Sequence, residues 1–154
     1  MFRLRLVACG YSQIPGVDYT ENYAPVISDV TYRILLICEI VWGLTSKIVD
    51  VETAFLHGDL EEGQEIYMDC PESLEHEEDE CLLLQKTIYG LVQSARQFFK
   101  KLVNCLKTFG FIGVAAAPCL LTRMNSQGIV FIRIHVDDCY CSVQQAPIDC
   151  VSPW

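Results

Sequence analysis

The stretch GIVFIRIHVDDCYCSV, Gly128 to Val143, decides the fold. Its two flanks are rich in β-branched and aromatic residues, as strands require, yet Asp137 and Asp138 stand side by side between them. Asp is a favoured turn residue, so the acid pair marks a second tight turn, with CYCSV as the returning strand. Upstream, Cys119 to Met124 reads as another strand, turning through NSQG into Gly128. The C-terminal third is therefore predicted to be antiparallel strands, with two carboxylates at one hairpin tip.

Other elements follow from periodicity and punctuation. RLRLVACGYSQ alternates, with Leu4, Leu6 and Ala8 on one face, and predicts a strand ending at Gly10. IPGVDYTENYAPV, with Pro15-Gly16 and Pro25, reads as a loop. A helix starts at Ser28 or Asp29, carries Ile34, Leu35, Cys38 and Val41 or Trp42 at helical spacing, and ends at Gly43. Lys47 to Val51 is a short strand with Asp50 near its end. A second helix has Ser94 as its cap and Phe98, Leu102, Cys105, Leu106 and Phe109 along one face. Lys100, Lys101 and Lys107 lie off that face, and Gly110 supplies the stop. This order predicts an α+β fold, an antiparallel sheet with helices packed on one face.

Composition bounds the reading without deciding it. The 154 residues are 51% apolar and carry a formal charge of −9. Of 20 acidic residues, 11 lie between Asp59 and Glu80, where there is no Lys or Arg; the rest of the chain has 9 acids against 11 bases. The acidity is thus one local excursion, read as a solvated loop, and it does not exclude nucleic acid as a partner. The competing reading makes Asp59–Glu80 the working surface of an acidic metal- or protein-binding module. No apolar run is long enough to span a membrane, and ILLICEIVWGL, interrupted by Glu39, reads as a buried helix. The N-terminus lacks a signal-peptide layout, so an intracellular location and no membrane partner are expected. The nine cysteines show no paired CxxC spacing and read as reduced core thiols; zinc on Cys139, Cys141 and a histidine is the weaker alternative.

Three acids stand out: Asp50 at the end of an apolar strand, and Asp137 and Asp138 at the hairpin tip. Should those strands be neighbours, the carboxylates converge. Two such charges about 4 Å apart repel by roughly 4 kcal/mol at an effective dielectric near 20, which protons or cations must relieve. Oxygen-only ligands favour Mg²⁺ or Mn²⁺, and two such ions bridged by carboxylates suit in-line phosphoryl transfer. Turn chemistry alone is the competing explanation of the acid pair.

Four motifs in order, RLVACGYSQIPGVDYTENYAPV, VDVETAFLHGDLEEGQEIYM, KTIYGLVQSARQFFKKL and VDD, resemble the reverse transcriptase of copia-like LTR retrotransposons. The likeness runs from about Arg3 to Ser142. It implies a polymerase palm with partial fingers and no thumb over residues 1–142, followed by a divergent tail over 143–154. By this resemblance, Asp50, Asp137 and Asp138 are the catalytic carboxylates, and with the Val51 carbonyl they hold two Mg²⁺ or Mn²⁺ ions. Phe55 matches the bulky position that crowds a ribose 2′-OH, Gln93 the glutamine beside the incoming nucleotide, and Arg3 or Arg5 the basic residue on the triphosphate. His135 would touch the primer end. The implied activity is RNA-directed DNA polymerisation, with an RNA or DNA primer–template, dNTPs and the rest of the pol polyprotein as partners. The implied setting is a cytoplasmic virus-like particle. The alternative is a catalytically inactive remnant of such a polyprotein. The chain departs from the family pattern at His135, where Tyr is usual, Cys9 for Arg, Ala95 for Pro and Glu52 for Lys.

Overall fold

The computed structural model describes residues 5–71, 73–77, 79–126 and 128–144. The chain divides into two compact units, Met1–Ala24 with Thr53–Leu102, and Pro25–Glu52 with Val103–Trp154.

The second unit is built on a five-stranded antiparallel sheet. Its strands are β1 (Leu44–Asp50), β4 (Ile112–Val114), β5 (Ala117–Asn125), β6 (Gly128–His135) and β7 (Asp138–Gln144), in the order β1-β7-β6-β5-β4. The predicted hairpins are present: β5 meets β6 with Asn125 opposite Gly128, and β6 meets β7 with His135 opposite Asp138. Because side chains alternate across a strand, Ile48, Asp50, Asp138, Tyr140, Ser142, Phe131, Arg133 and His135 share one face. The other face carries Cys119, Leu121, Ile132, Ile134 and Cys139, all buried.

Helix α1 (Asp29–Trp42) covers part of the first of these faces. Its ends are those the sequence predicts. The Ser28 hydroxyl accepts the Thr31 N–H at 3.2 Å, and Gly43 closes the helix in the left-handed conformation at φ 61°. The buried stripe, however, differs from the expected one. Leu35 packs with Leu120 and Phe131, and Trp42 stacks on Phe131 at 6.0 Å, whereas Ile34 and Val41 are exposed. The inward stripe runs Tyr32, Leu35 and Glu39 and ends at the half-exposed Trp42, with Glu39 placed inward where it meets the buried Arg133.

The first unit joins its motifs by backbone contacts. The Ala8 N–H donates to the Tyr89 carbonyl at 2.8 Å, and the Val92 N–H donates to the Gln13 side chain at 2.8 Å. Gly90 sits at φ 92°, where an added Cβ would lie 2.1 Å from the Ala8 carbonyl oxygen, so only glycine allows this approach. The predicted strand at the N-terminus is not formed over Arg5–Cys9; Leu4 lies outside the described residues. Ala8 makes one backbone bond to its neighbour instead of a ladder, and Leu6 and Val7 are exposed. The acidic excursion also differs from a solvated loop. It contains β2 (Tyr67–Asp69), which pairs with β3 (Cys81–Leu83), and Ile66 is buried with Ala8 and Leu91. Two of its acids meet lysines of α2 (Ser94–Thr108): Glu61 accepts from Lys100 at 2.9 Å, and Asp59 pairs with Lys101. Among the described residues, no helix is long and apolar enough to cross a membrane.

Candidate functional site

The register of β1 on β7 sets Asp50 directly opposite Asp138, and that of β6 on β7 sets Asp138 opposite His135. Three side chains thus stand in one row across three strands, with neighbouring Cβ atoms about 4.5–5.5 Å apart. Asp137 occupies the two-residue turn Val136–Asp137 that joins β6 to β7. Val136 is held at φ 59°, a left-handed conformation costing a branched side chain roughly 1–2 kcal/mol. Val51 belongs to the same site, since its N–H donates to the Asp137 carbonyl at 3.4 Å and ties the end of β1 to the turn.

Like charges facing each other across a ladder destabilise the pairing. Among the described residues, no side-chain ion pair reaches Asp50, Asp137 or Asp138. An oxygen-only donor set of this kind suits Mg²⁺ or Mn²⁺ chemically. The side chains as placed do not form a closed ligand cluster: no group of three or more His, Cys, Asp or Glu side chains among the described residues is gathered closely enough to hold a metal ion. The strands are neighbours as expected and set Asp50 opposite Asp138, but the three carboxylates do not gather into a compact triad. Zinc on Cys139 and Cys141 is disfavoured, because burial pushes the Cys139 thiol up to about 11 and raises that of Cys141.

The remaining predicted residues belong to the first unit. The Phe55 ring lies against Tyr89 at 5.0 Å and Phe98 at 6.2 Å. The Thr87 hydroxyl latches that loop by donating to the Phe55 carbonyl at 2.5 Å. Gln93 is buried, its carboxamide accepting from Gln13 at 3.2 Å and donating to the Asp18 carbonyl at 3.3 Å. The Arg5 guanidinium lies 4.2 Å from the centre of the Tyr89 ring, and Arg3 is outside the described residues.

The sequence reading passed over Arg133. It is 1% exposed, and its Nη2 pairs with Glu39 and donates to Ser142 at 3.3 Å. The rings of Tyr32 and Tyr140 flank it at 5.2 and 5.1 Å. The available signal was Arg133 two residues beyond Phe131 and an acid, Glu39, four beyond Leu35: opposite charges, each at a core position of its own element.

An α+β unit with an antiparallel sheet, two facing aspartates and a third in the adjoining turn is compatible with a fragment of a reverse transcriptase. The chain belongs to the family described as reverse transcriptase (RNA-dependent DNA polymerase), which it matches over residues 1–148. It is 34% identical over 140 residues to the Retrovirus-related Pol polyprotein from transposon TNT 1-94 of Nicotiana tabacum, covering 89% of this chain and 10% of that protein. Two Arabidopsis thaliana proteins, the Retrovirus-related Pol polyproteins from transposons RE2 and RE1, are each 34% identical over 139 residues, with 89% of this chain and 9% of theirs covered. The chain thus spans about a tenth of the curated relatives it matches. No solved structure matches it.

Proposed function

We propose that the chain is the palm and partial fingers of an RNA-directed DNA polymerase from a copia-like Pol polyprotein, adding dNTPs to a primer 3′-OH. The observation that carries this reading is the register that places Asp50 opposite Asp138, with Asp137 in the adjoining turn. Asp50, Asp137, Asp138 and the Val51 carbonyl are the groups that would hold two divalent ions. When bound, such ions activate the attacking hydroxyl and stabilise the leaving oxygen. The chain's own residues position the reactants. His135, in the row with Asp138, meets the primer end, and Phe55 excludes a 2′-OH. Arg5 (or Arg3) attends the nucleotide, whereas Gln93, buried and bonded to Gln13 and the Asp18 carbonyl, holds its own loop in place rather than touching the nucleotide. The partners are an RNA or DNA primer–template, dNTPs and the remainder of the polyprotein, in a cytoplasmic particle.

A second reading, a folded remnant without catalysis, is favoured by His135 and Cys9 standing where the family carries Tyr and Arg. Primer extension separates the two, using an RNA template and a DNA primer in Mg²⁺ and in Mn²⁺. The polymerase reading expects extension that falls to background in Asp137→Asn. A protein that is folded by circular dichroism yet gives no extension in either ion supports the remnant.

A further inference from the structure

Helix α1 buries one side and leaves the other bare. Leu35 and Glu39 meet the sheet, whereas Val30, Ile34, Ile37 and Val41, on the opposite side, are 68%, 53%, 60% and 71% exposed. Ile40, at 83%, widens the bare side. Scattered apolar residues are ordinary on a surface, but four on one line of one helix form a patch of the kind that marks an interaction site. Their spacings of four, three and four residues are the repeat that keeps one helix seamed against another. The stripe also reads the same in both directions, Val-Ile-Ile-Val at mirrored spacings. That symmetry points to the occupant. Consider the helix laid antiparallel on a copy of itself, about a centre between Leu35 and Leu36. Val30 is then level with Val41 of the second copy, and Ile34 with Ile37 of the second copy. A two-fold contact requires such self-complementarity, and an unrelated partner does not.

We propose that α1 is a homodimerisation helix, pairing with α1 of a second copy of this chain in an antiparallel two-fold contact along Val30, Ile34, Ile37 and Val41. Antiparallel packing brings the oppositely signed ends of the two helix macrodipoles together. It also sets Arg33, at the edge of the stripe, level with Cys38 of the second copy. Parallel packing would set Arg33 level with its own copy, like charge beside like charge. The stripe is about 16 Å long, so the contact is small for a specific interface, and a dissociation constant in the micromolar range is expected. The pairing uses none of the carboxylate row and holds whether or not the chain polymerises.

Sedimentation equilibrium of the full chain tests the assignment, with a thiol reductant present so that the exposed cysteines do not cross-link copies. The expected result is a reversible monomer–dimer equilibrium between about 1 and 100 µM. Ile34→Glu and Ile37→Lys, made separately, should each weaken the dimer about tenfold or more. Both positions are exposed, so each variant should keep the wild-type circular dichroism. An equal mixture of the two variants should dimerise again, because positions 34 and 37 of opposite copies then bring a carboxylate to an ammonium. Parallel pairing would give no such recovery. A wild-type chain that stays monomeric overturns the proposal and leaves the face to a different partner. Aggregates without a discrete dimer, a dimer untouched by both variants, or a mixture that stays monomeric also overturn it. Primer extension is read separately, so failure of either proposal leaves the other standing.

Discussion

Arg133 and Glu39 stabilise the second unit only as a pair, because either charge alone is stranded beneath α1. The two side chains are 2% and 13% exposed. Arg133→Leu is expected to cost about 3–5 kcal/mol, the range seen when one partner of a buried pair is lost. Arg133→Leu combined with Glu39→Leu should recover most of that loss, and urea unfolding of both variants measures the difference. Val136 makes the opposite point, since its branched side chain sits at φ 59°. Val136→Asn is expected to raise stability by about 1 kcal/mol, because Asn tolerates the left-handed region, and the shift is readable as a higher midpoint of denaturation. The first effect was hinted at in the sequence only by two opposite charges at core positions, and the second not at all. Val136 is an ordinary strand residue until the two-residue turn is known, and the Arg133 pair joins positions 94 apart in the chain.

The acidic segment behaves as an element anchored to α2. Hydrogen bonding from Lys101 holds the Asp59 carboxyl below its usual range, and hydrogen bonding from Lys100 and then Gln97 does the same for Glu61. A carboxylate whose folded value is lowered contributes stability above its unfolded value and loses it as pH falls through the folded one. Amide protection around Asp59–Gln64 should therefore be full above about pH 4.5 and decline below it. Hydrogen exchange at pH 6 and pH 3 checks the direction. Both ion pairs are largely solvent-exposed, so Lys100→Ala should cost only about 0.2–1 kcal/mol, and less in high salt. The helices themselves were readable because their caps are local: Ser28 and Gly43 bound α1, and Gly110 follows α2. The inward stripe of α1 was not, because an apolar sequence leaves the choice among Ile34, Leu35 and Val41 to whatever surface it meets.

For the chain taken whole, the cysteines offer a census of burial. All eight described cysteines are free thiols. Burial pushes the Cys119 thiol up to about 11, while Cys9, Cys81 and Cys105 are exposed. Iodoacetamide at pH 8 is expected to modify those three in the native protein and to spare Cys119 until denaturant is added; peptide mass mapping reads the pattern. Each compact unit owns part of the proposed chemistry: the carboxylates and His135 lie in the second, and Arg5 and Phe55 in the first.

By itself the sequence determined the family, the hairpin tip with its two aspartates, and most element boundaries. These rest on local chemistry: turn residues, caps, β-branched composition and motifs in order, whereas alternation alone predicted an N-terminal strand that is not formed over Arg5–Cys9. Only the tertiary structure decided that Asp50 faces Asp138, that Gln93 spends its amide on Gln13 and Asp18, and that Arg133 lies buried between two tyrosines. Those facts depend on strand register and on which surfaces bury one another. Register is set by the joint fit of many side chains across the sheet, and no single segment of the chain contains it.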